Sequence, residues 1–196
     1  MSTRSRAALL GAMVAAAALT LSACGNGGTS GGGGNTNFVT GNNGIDAAPK
    51  GERAAAPDLS GKTIDGKTLD VADYKGKVVV INVWGSWCGP CREEAKYFSK
   101  VSRAYEGKGV QFVGINTRDT STTPAVAFEK EHGIGYPSLY DPTGKLMLRF
   151  KRGTLNPQLI PSTLVIDRNG KVAARALEAL DDTTLLKMLK PVLAEK

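Results

Sequence analysis

From Lys77 to Val83 the chain reads KVVVINV, and five residues later it reaches Cys88-Gly89-Pro90-Cys91. A short, β-branched run broken only by Asn82 marks a strand buried on both faces, which needs a covering layer on each side of its sheet. Directly after it, Ala95, Phe98, Val101 and Tyr105 recur at the spacing of one helix face over Cys91 to Tyr105. Buried strand, cysteine pair and amphipathic helix therefore follow one another with almost no loop. Few folds accept that sequence of demands.

The remaining elements agree with a layered sheet. Gly61 to Leu69 predicts a hairpin turning at Asp65-Gly66. Val110 to Ile115 (VQFVGI) is strand-like, and Pro124 to His132 predicts a helix capped by Thr123 and stopped by Gly133. Ser162 to Asp167 and Lys171 to Ala176 flank Asn169-Gly170, a strong hairpin signal. Asp181 or Asp182 caps a closing helix whose Leu185, Met188, Leu189 and Val192 share a face. The order ββαβαββα gives an α/β fold: a central mixed β-sheet flanked by helices, with an N-terminal β-hairpin, in a single domain from Pro57 to Lys196.

Composition removes several functions. Three Cys are too few for a disulfide-stapled scaffold, and one His leaves too few soft ligands for most zinc sites. Residues 57–196 carry 21 Lys+Arg against 16 Asp+Glu, and the signs alternate. Nucleic-acid binding would need a clustered basic face with interleaved aromatics, and none is present. His132 ends a polar stretch before Gly133, where a helix C-terminus favours a cation, and no catalytic role follows from it.

The first 56 residues have a different character. Arg4 and Arg6 precede an apolar run, Ala7 to Leu21, that is too short for a permanent span and suits a signal segment. Leu21-Ser22-Ala23-Cys24 resembles the lipobox of bacterial lipoproteins. That resemblance implies cleavage before Cys24, a diacylglycerol thioether on its sulfur and a lipid-anchored, extracytoplasmic protein. Plain secretion with cleavage after Ala23 is the alternative. Ten of the 24 glycines lie between Gly25 and Gly51. With so little apolar surface to bury, residues 24–56 are expected to form a disordered tether.

The chemistry lies in the cysteine pair. Cys-x-x-Cys across a helix start puts both sulfurs within one turn, near enough to join. Cys88 would sit where unpaired N–H groups and the helix dipole stabilise a thiolate. Gly89 leaves the approach open, Pro90 has no N–H to lose in a first turn, and Cys91 would be placed to attack a mixed disulfide on Cys88. A purely structural disulfide would close a tiny loop and constrain little of the unfolded chain. A zinc half-site lacks its second pair. Trp84 and Trp87 are expected to pack in the core and at the site rim.

KVVVINVWGSWCGPCREEAKYFSKVSRAYEGKGVQFVGIN resembles the membrane-associated, thioredoxin-like reductases of the TlpA and ResA type, over essentially all of residues 57–196. The resemblance implies a thioredoxin-like fold and a thiol–disulfide oxidoreductase with Cys88 as attacking and Cys91 as resolving sulfur. It also implies no bound cofactor or metal, protein disulfide or dithiol substrates, and a membrane electron donor of the DsbD or CcdA type. It makes Pro161 a cis-proline beside the pair, with Ile160 offering its backbone to an extended substrate; a trans proline opening a strand is the alternative. Trp87, Gly89, Pro90, Ile160 and Pro161 are the substrate-binding residues on this reading. Glu94 matches an acidic residue thought to move protons, although the helix dipole alone also favours a first-turn Glu.

Three departures stand out. Cytoplasmic thioredoxins have a buried Asp six positions before the first Cys, where this chain has Asn82. Some reductases of cytochrome c maturation have Glu where this chain has Gly89. Thiol peroxidases of related fold have Thr where this chain has Gly85. A reductase of exported proteins is the expectation, with apocytochrome c as one candidate client that Gly89 counts against. A disulfide-donating oxidase, a thiol peroxidase and a non-enzymatic binding protein are its rivals.

Overall fold

The computed structural model describes residues 36–41 and 43–195; the expected signal segment and Cys24 lie outside the described residues. The strands are β1 (Val39–Thr40), β2 (Ile45–Ala47), β3 (Ser60–Lys62), β4 (Thr68–Asp70), β5 (Val78–Trp84), β6 (Val110–Thr117), β7 (Ser138–Asp141), β8 (Ser162–Ile166) and β9 (Val172–Ala176). The helices are α1 (Gly89–Tyr105), α2 (Thr122–His132), a single turn α3 (Lys145–Leu148) and α4 (Asp182–Ala194).

Seven strands form one sheet in the order β1-β2-β9-β8-β5-β6-β7. β5, β6 and β7 run parallel, and β8, β9, β2 and β1 continue antiparallel from the other side of β5. All seven residues of β5 are buried, as a strand with neighbours on both edges and layers on both faces must be. Its side chains alternate. Val78 and Val80 join Phe98 and Val101 of α1 and Leu185 and Leu189 of α4 in one cluster. Val79, Ile81 and Val83 join Leu59, Leu69, Leu146 and Phe150 in a second cluster on the opposite face. Asn82, in phase with Val78 and Val80, is carried onto the helix side close to α1.

The β3–β4 hairpin forms as expected, with Gly66 at φ +82, and is a separate two-stranded sheet laid over the second cluster. Gly133 stops α2 in the left-handed conformation, and Asp181 caps α4 by accepting from the Thr184 N–H. α2 begins two residues earlier than expected, at Thr122 with Ser121 at its N-cap. β7 was not expected: Ser138–Asp141 is a four-residue strand after Pro137, too short to show a period.

The largest correction concerns the tether. Residues 36–56 are folded onto the domain instead of being disordered up to Ala56. Ile45, Asp46 and Ala47 pair with Ala176, Arg175 and Ala174 of β9. Phe38 and Ala48 are buried, and the Arg53 guanidinium bonds buried Asp167 and part-exposed Glu195. Strand addition uses backbone hydrogen bonds, which any residue except Pro supplies, so a segment poor in apolar side chains can still be ordered against a free sheet edge. Mean composition does not reveal this.

Candidate active site

Cys88 is the N-cap of α1, with extended backbone (φ −87, ψ 112), and its Sγ accepts from the Cys91 N–H at 3.2 Å. The two cysteines are joined by a disulfide, with Cα atoms 5.3 Å apart. Pro90 lies in the first turn, where its missing N–H costs nothing. In the reduced state the same helix end would face a Cys88 thiolate, with the dipole and the Cys91 N–H both favouring the anion.

Cys91 is 1% exposed and Cys88 only 3%, so Cys88 is less open than its expected role at the surface implied. Its neighbours account for this. Ile64, Trp84, Ala95 and Phe128 pack with both cysteines, and Trp84 stacks on Phe128 at 4.5 Å. The exposed residues beside the sulfur are Trp87, Gly89 and Pro90. Pro161 is cis, and the Ile160 carbonyl oxygen lies 3.7 Å from Cys88 Sγ. Pro161 is buried and Ile160 half-buried. Residues 72 positions apart in the chain thus meet across the sulfur because β8 is hydrogen-bonded to β5.

Behind the pair is a buried carboxyl. Glu94, one turn beyond Cys91, is 2% exposed; its Oε1 accepts from Asn82 Nδ2 at 2.8 Å and its Oε2 from the Leu180 N–H at 3.0 Å. Burial pushes its pKa up from 4.5 to about 8, against the smaller downward pull of those two bonds. Asn82 and Cys91 both line a gap too narrow for water, together with Trp84, Phe128 and Tyr136. The position that holds Asp in cytoplasmic thioredoxins here holds an amide that donates to a carboxylate from the helix. The buried acid has changed element, not vanished.

The segment before Cys88 is held by residues the sequence did not single out. Buried Asp119 accepts from the Ser86 N–H at 2.9 Å, from the Ser86 hydroxyl and from Asn116 Nδ2 at 2.6 Å. Trp87 Nε1 donates to the Thr117 carbonyl at 3.3 Å, and Arg92 Nη2 to the Ser86 carbonyl at 2.6 Å. The bonds from Asp119 to Ser86 and from Trp87 to Thr117 join segments about thirty residues apart, and no local pattern announces them. Among the described residues no three His, Cys, Asp or Glu side chains gather as metal ligands, and no helix is long and apolar enough to cross a membrane.

Residues 49–190 match the family described as Redoxin. The chain belongs to the redoxin family. Within it, the ResA thiol-disulfide oxidoreductase of Bacillus anthracis is 30% identical over 122 residues, 62% of this chain and 67% of that one. The ResA protein of Bacillus subtilis is 27% identical over 143 residues, 71% and 76% of the two chains. Among solved structures, a DsbF homologue from Corynebacterium diphtheriae superposes with TM-score 0.70 at 35% identity, covering 77% of this chain and 94% of that one. A secreted thiol-disulfide isomerase from Corynebacterium glutamicum gives TM-score 0.73 at 28% identity, covering 83% and 100%. The 83% of this chain that is covered is more than residues 57–196 alone could supply, in keeping with the folded N-terminal arm. This redoxin is a thiol–disulfide oxidoreductase of thioredoxin-like fold and of the ResA and TlpA type.

Proposed function

We propose that the protein is a lipid-anchored, extracytoplasmic reductase of disulfides in exported proteins, with Cys88 as nucleophile and Cys91 as resolving thiol. The observation that carries this reading is the Cys88 sulfur itself: N-cap of α1, bonded by the Cys91 N–H, and flanked at 3.7 Å by the carbonyl of Ile160 ahead of cis-Pro161. An extended substrate segment laid along Ile160 would bring its own sulfur onto Cys88.

The exchange then balances in two steps. The Cys88 thiolate attacks one substrate sulfur, forming a mixed disulfide and releasing the other as a thiol after it takes up a proton. Cys91, having lost its proton, attacks Cys88 Sγ, forms the Cys88–Cys91 bond and releases the second substrate thiol. Two electrons pass to the substrate. Glu94 is the proposed proton carrier for Cys91: with its pKa raised to about 8 the carboxyl is mostly protonated at neutral pH and accepts the Cys91 proton only in its ionised fraction, which grows as pH rises towards 8.

The reducing direction is supported by how little stands between the two sulfurs. A strong oxidant draws its driving force from a very stable reduced form, and here only Gly89 and Pro90 stand between the cysteines, with no charge of their own. The electrons spent on each client would be restored by a membrane carrier of the DsbD or CcdA type. Exported apocytochrome c is one candidate client, and Cys24 is the proposed site of the lipid anchor. The deciding measurement is the reduction potential of the pair, read by counting alkylated thiols after equilibration with glutathione or dithiothreitol. A value at or below roughly −230 mV is expected, and one near roughly −120 mV would make the protein an oxidase.

A further inference from the structure

Among the described residues, Arg118 is the one non-glycine residue near the redox pair with a left-handed backbone (φ 60). For a residue with a Cβ this conformation is unfavourable, and it persists only where the surroundings impose it. Here they do so from both sides. The Thr117 carbonyl accepts from Trp87 Nε1, and the Asp119 carboxylate accepts from Ser86, so the turn is pinned at each end to the segment that leads into Cys88. Between those two anchors the Arg118 side chain is thrown over the exposed indole of Trp87, its Cζ 4.7 Å from the ring centroid. Nη2 donates to the Pro157 carbonyl at 3.2 Å, three residues before Ile160. One guanidinium therefore spans the two segments that flank the Cys88 sulfur.

Those contacts fix the guanidinium without neutralising it. Stacking on an indole and bonding to a carbonyl leave the full positive charge in place, and Arg118 is an exposed residue. Among the described residues no carboxylate lies within ion-pair distance of it, whereas nearby Arg92 faces Glu131 at 3.7 Å. The remaining N–H donors form a planar fork, held in advance, of the kind that matches a carboxylate.

We propose that Arg118 is a specificity-determining residue of this site: its guanidinium receives a carboxylate that the disulfide substrate carries close to the half-cystine attacked by Cys88. The assignment rests on Cys88 being the attacking sulfur. It makes the preferred clients disulfides with an Asp or Glu beside the cysteine, and it makes the left-handed turn the device that delivers the charge to the rim.

The test uses the reduced full chain in detergent and three synthetic peptide disulfides, identical except for Asp, Ser or Lys beside the half-cystine. Second-order reduction rates are measured at low and at high salt. An exposed charge pair is worth up to about 1 kcal/mol, so the Asp peptide should react about fivefold faster than the Ser peptide at low salt, and the preference should shrink as salt rises. Arg118→Glu should turn the order round in favour of the Lys peptide. Arg118→Asn, which accepts a left-handed backbone, should bring the Asp-to-Lys rate ratio towards one. Because the readout is a ratio within one protein, partial loss of folded material does not alter it. Equal rates for the three peptides in the unsubstituted protein, or an Asp preference that survives Arg118→Glu, would overturn the assignment. Failure to reduce any of the three peptides would instead remove the premise that Cys88 attacks.

Discussion

Glu94 carries a carboxyl into a site where almost no water reaches it, and both its oxygens are engaged by donors on other elements. Its raised pKa has a consequence for stability. Between about 4.5 and about 8 the folded protein holds a proton that the unfolded chain has given up, so this residue makes stability fall as pH rises through that interval and level off above it. Glu94→Gln cannot titrate, although its amide must face one of the two donors and will cost something at every pH. We expect urea midpoints of the unsubstituted protein to drop between pH 5 and pH 8.5 more steeply than those of Glu94→Gln. Glu129, raised by burial to about 7, keeps a slope of its own in both proteins. Parallel slopes would mean that Glu94 titrates like an exposed carboxyl and cannot serve Cys91. The sequence left Glu94 undecided between helix-dipole placement and proton transfer, because what distinguishes them is the bond from Asn82, twelve residues away on β5. The cysteines were legible because their chemistry is local to one helix turn; Asp119 and Arg118 were not, because theirs is made by the sheet.

At the scale of elements, the β5–α1 junction admits no side chain at one glycine and any at another. A Cβ on Gly85 would stand 2.5 Å from Trp87 Nε1 and 3.1 Å from the Thr117 carbonyl, the two partners of one hydrogen bond, whereas a Cβ on Gly89 meets nothing within 4 Å. Gly85→Ala should therefore cost about 1–3 kcal/mol of unfolding free energy, as overpacking does, while Gly89→Ala should be neutral or stabilising by up to about 1 kcal/mol. Denaturant melts of the two variants decide it, and equal losses would show that the junction is looser than the contacts imply. The same clash stands against a thiol peroxidase, whose Thr would fall at Gly85. Prediction from sequence placed β5, α1, the Asn169-Gly170 hairpin and α4, each of which has a strong period or a strong turn. It lost β1, β2 and β7, which are short edge elements held by neighbours more than by their own side chains. The N-terminal arm is the sharpest case. Arg53, with 6% of its side chain exposed, bonds Asp167 at 2.9 Å and Glu195 at 2.6 Å, tying the arm to the β8–β9 turn and to the end of α4. Arg53→Ala leaves two carboxylates without their cation, but Glu195 is part-exposed and Asp167 keeps the Asn169 and Lys171 N–H donors, so the cost should be about 1–3 kcal/mol, measurable in the same melts. A change below about 0.5 kcal/mol would return the arm to the role of a loose tether.

For the whole molecule, the folded arm changes how the domain stands relative to a membrane. If Cys24 is lipidated, the first described residue, Thr36, lies twelve residues later, so the link between them spans at most roughly 40 Å even when fully drawn out. A tether running to Ala56 would have allowed more than roughly 100 Å. The redox face would then work close to the bilayer, where a membrane electron donor could meet it. A single acyl chain binds a membrane only marginally, whereas two or three hold firmly. The anchored protein should consequently partition wholly into the detergent phase on cloud-point separation, and mass spectrometry of its N-terminus should find a diacylglyceryl-modified Cys24. Cys24→Ser should move the protein to the aqueous phase while leaving the Cys88–Cys91 potential unchanged, since the contacts described for the pair are all made by residues of the folded domain. An N-terminus carrying an unmodified Cys24 would replace the anchor with plain secretion. The oxidoreductase would survive that result, but its electron donor would have to reach a diffusing domain, and the shortness of the link would no longer constrain where its clients are met.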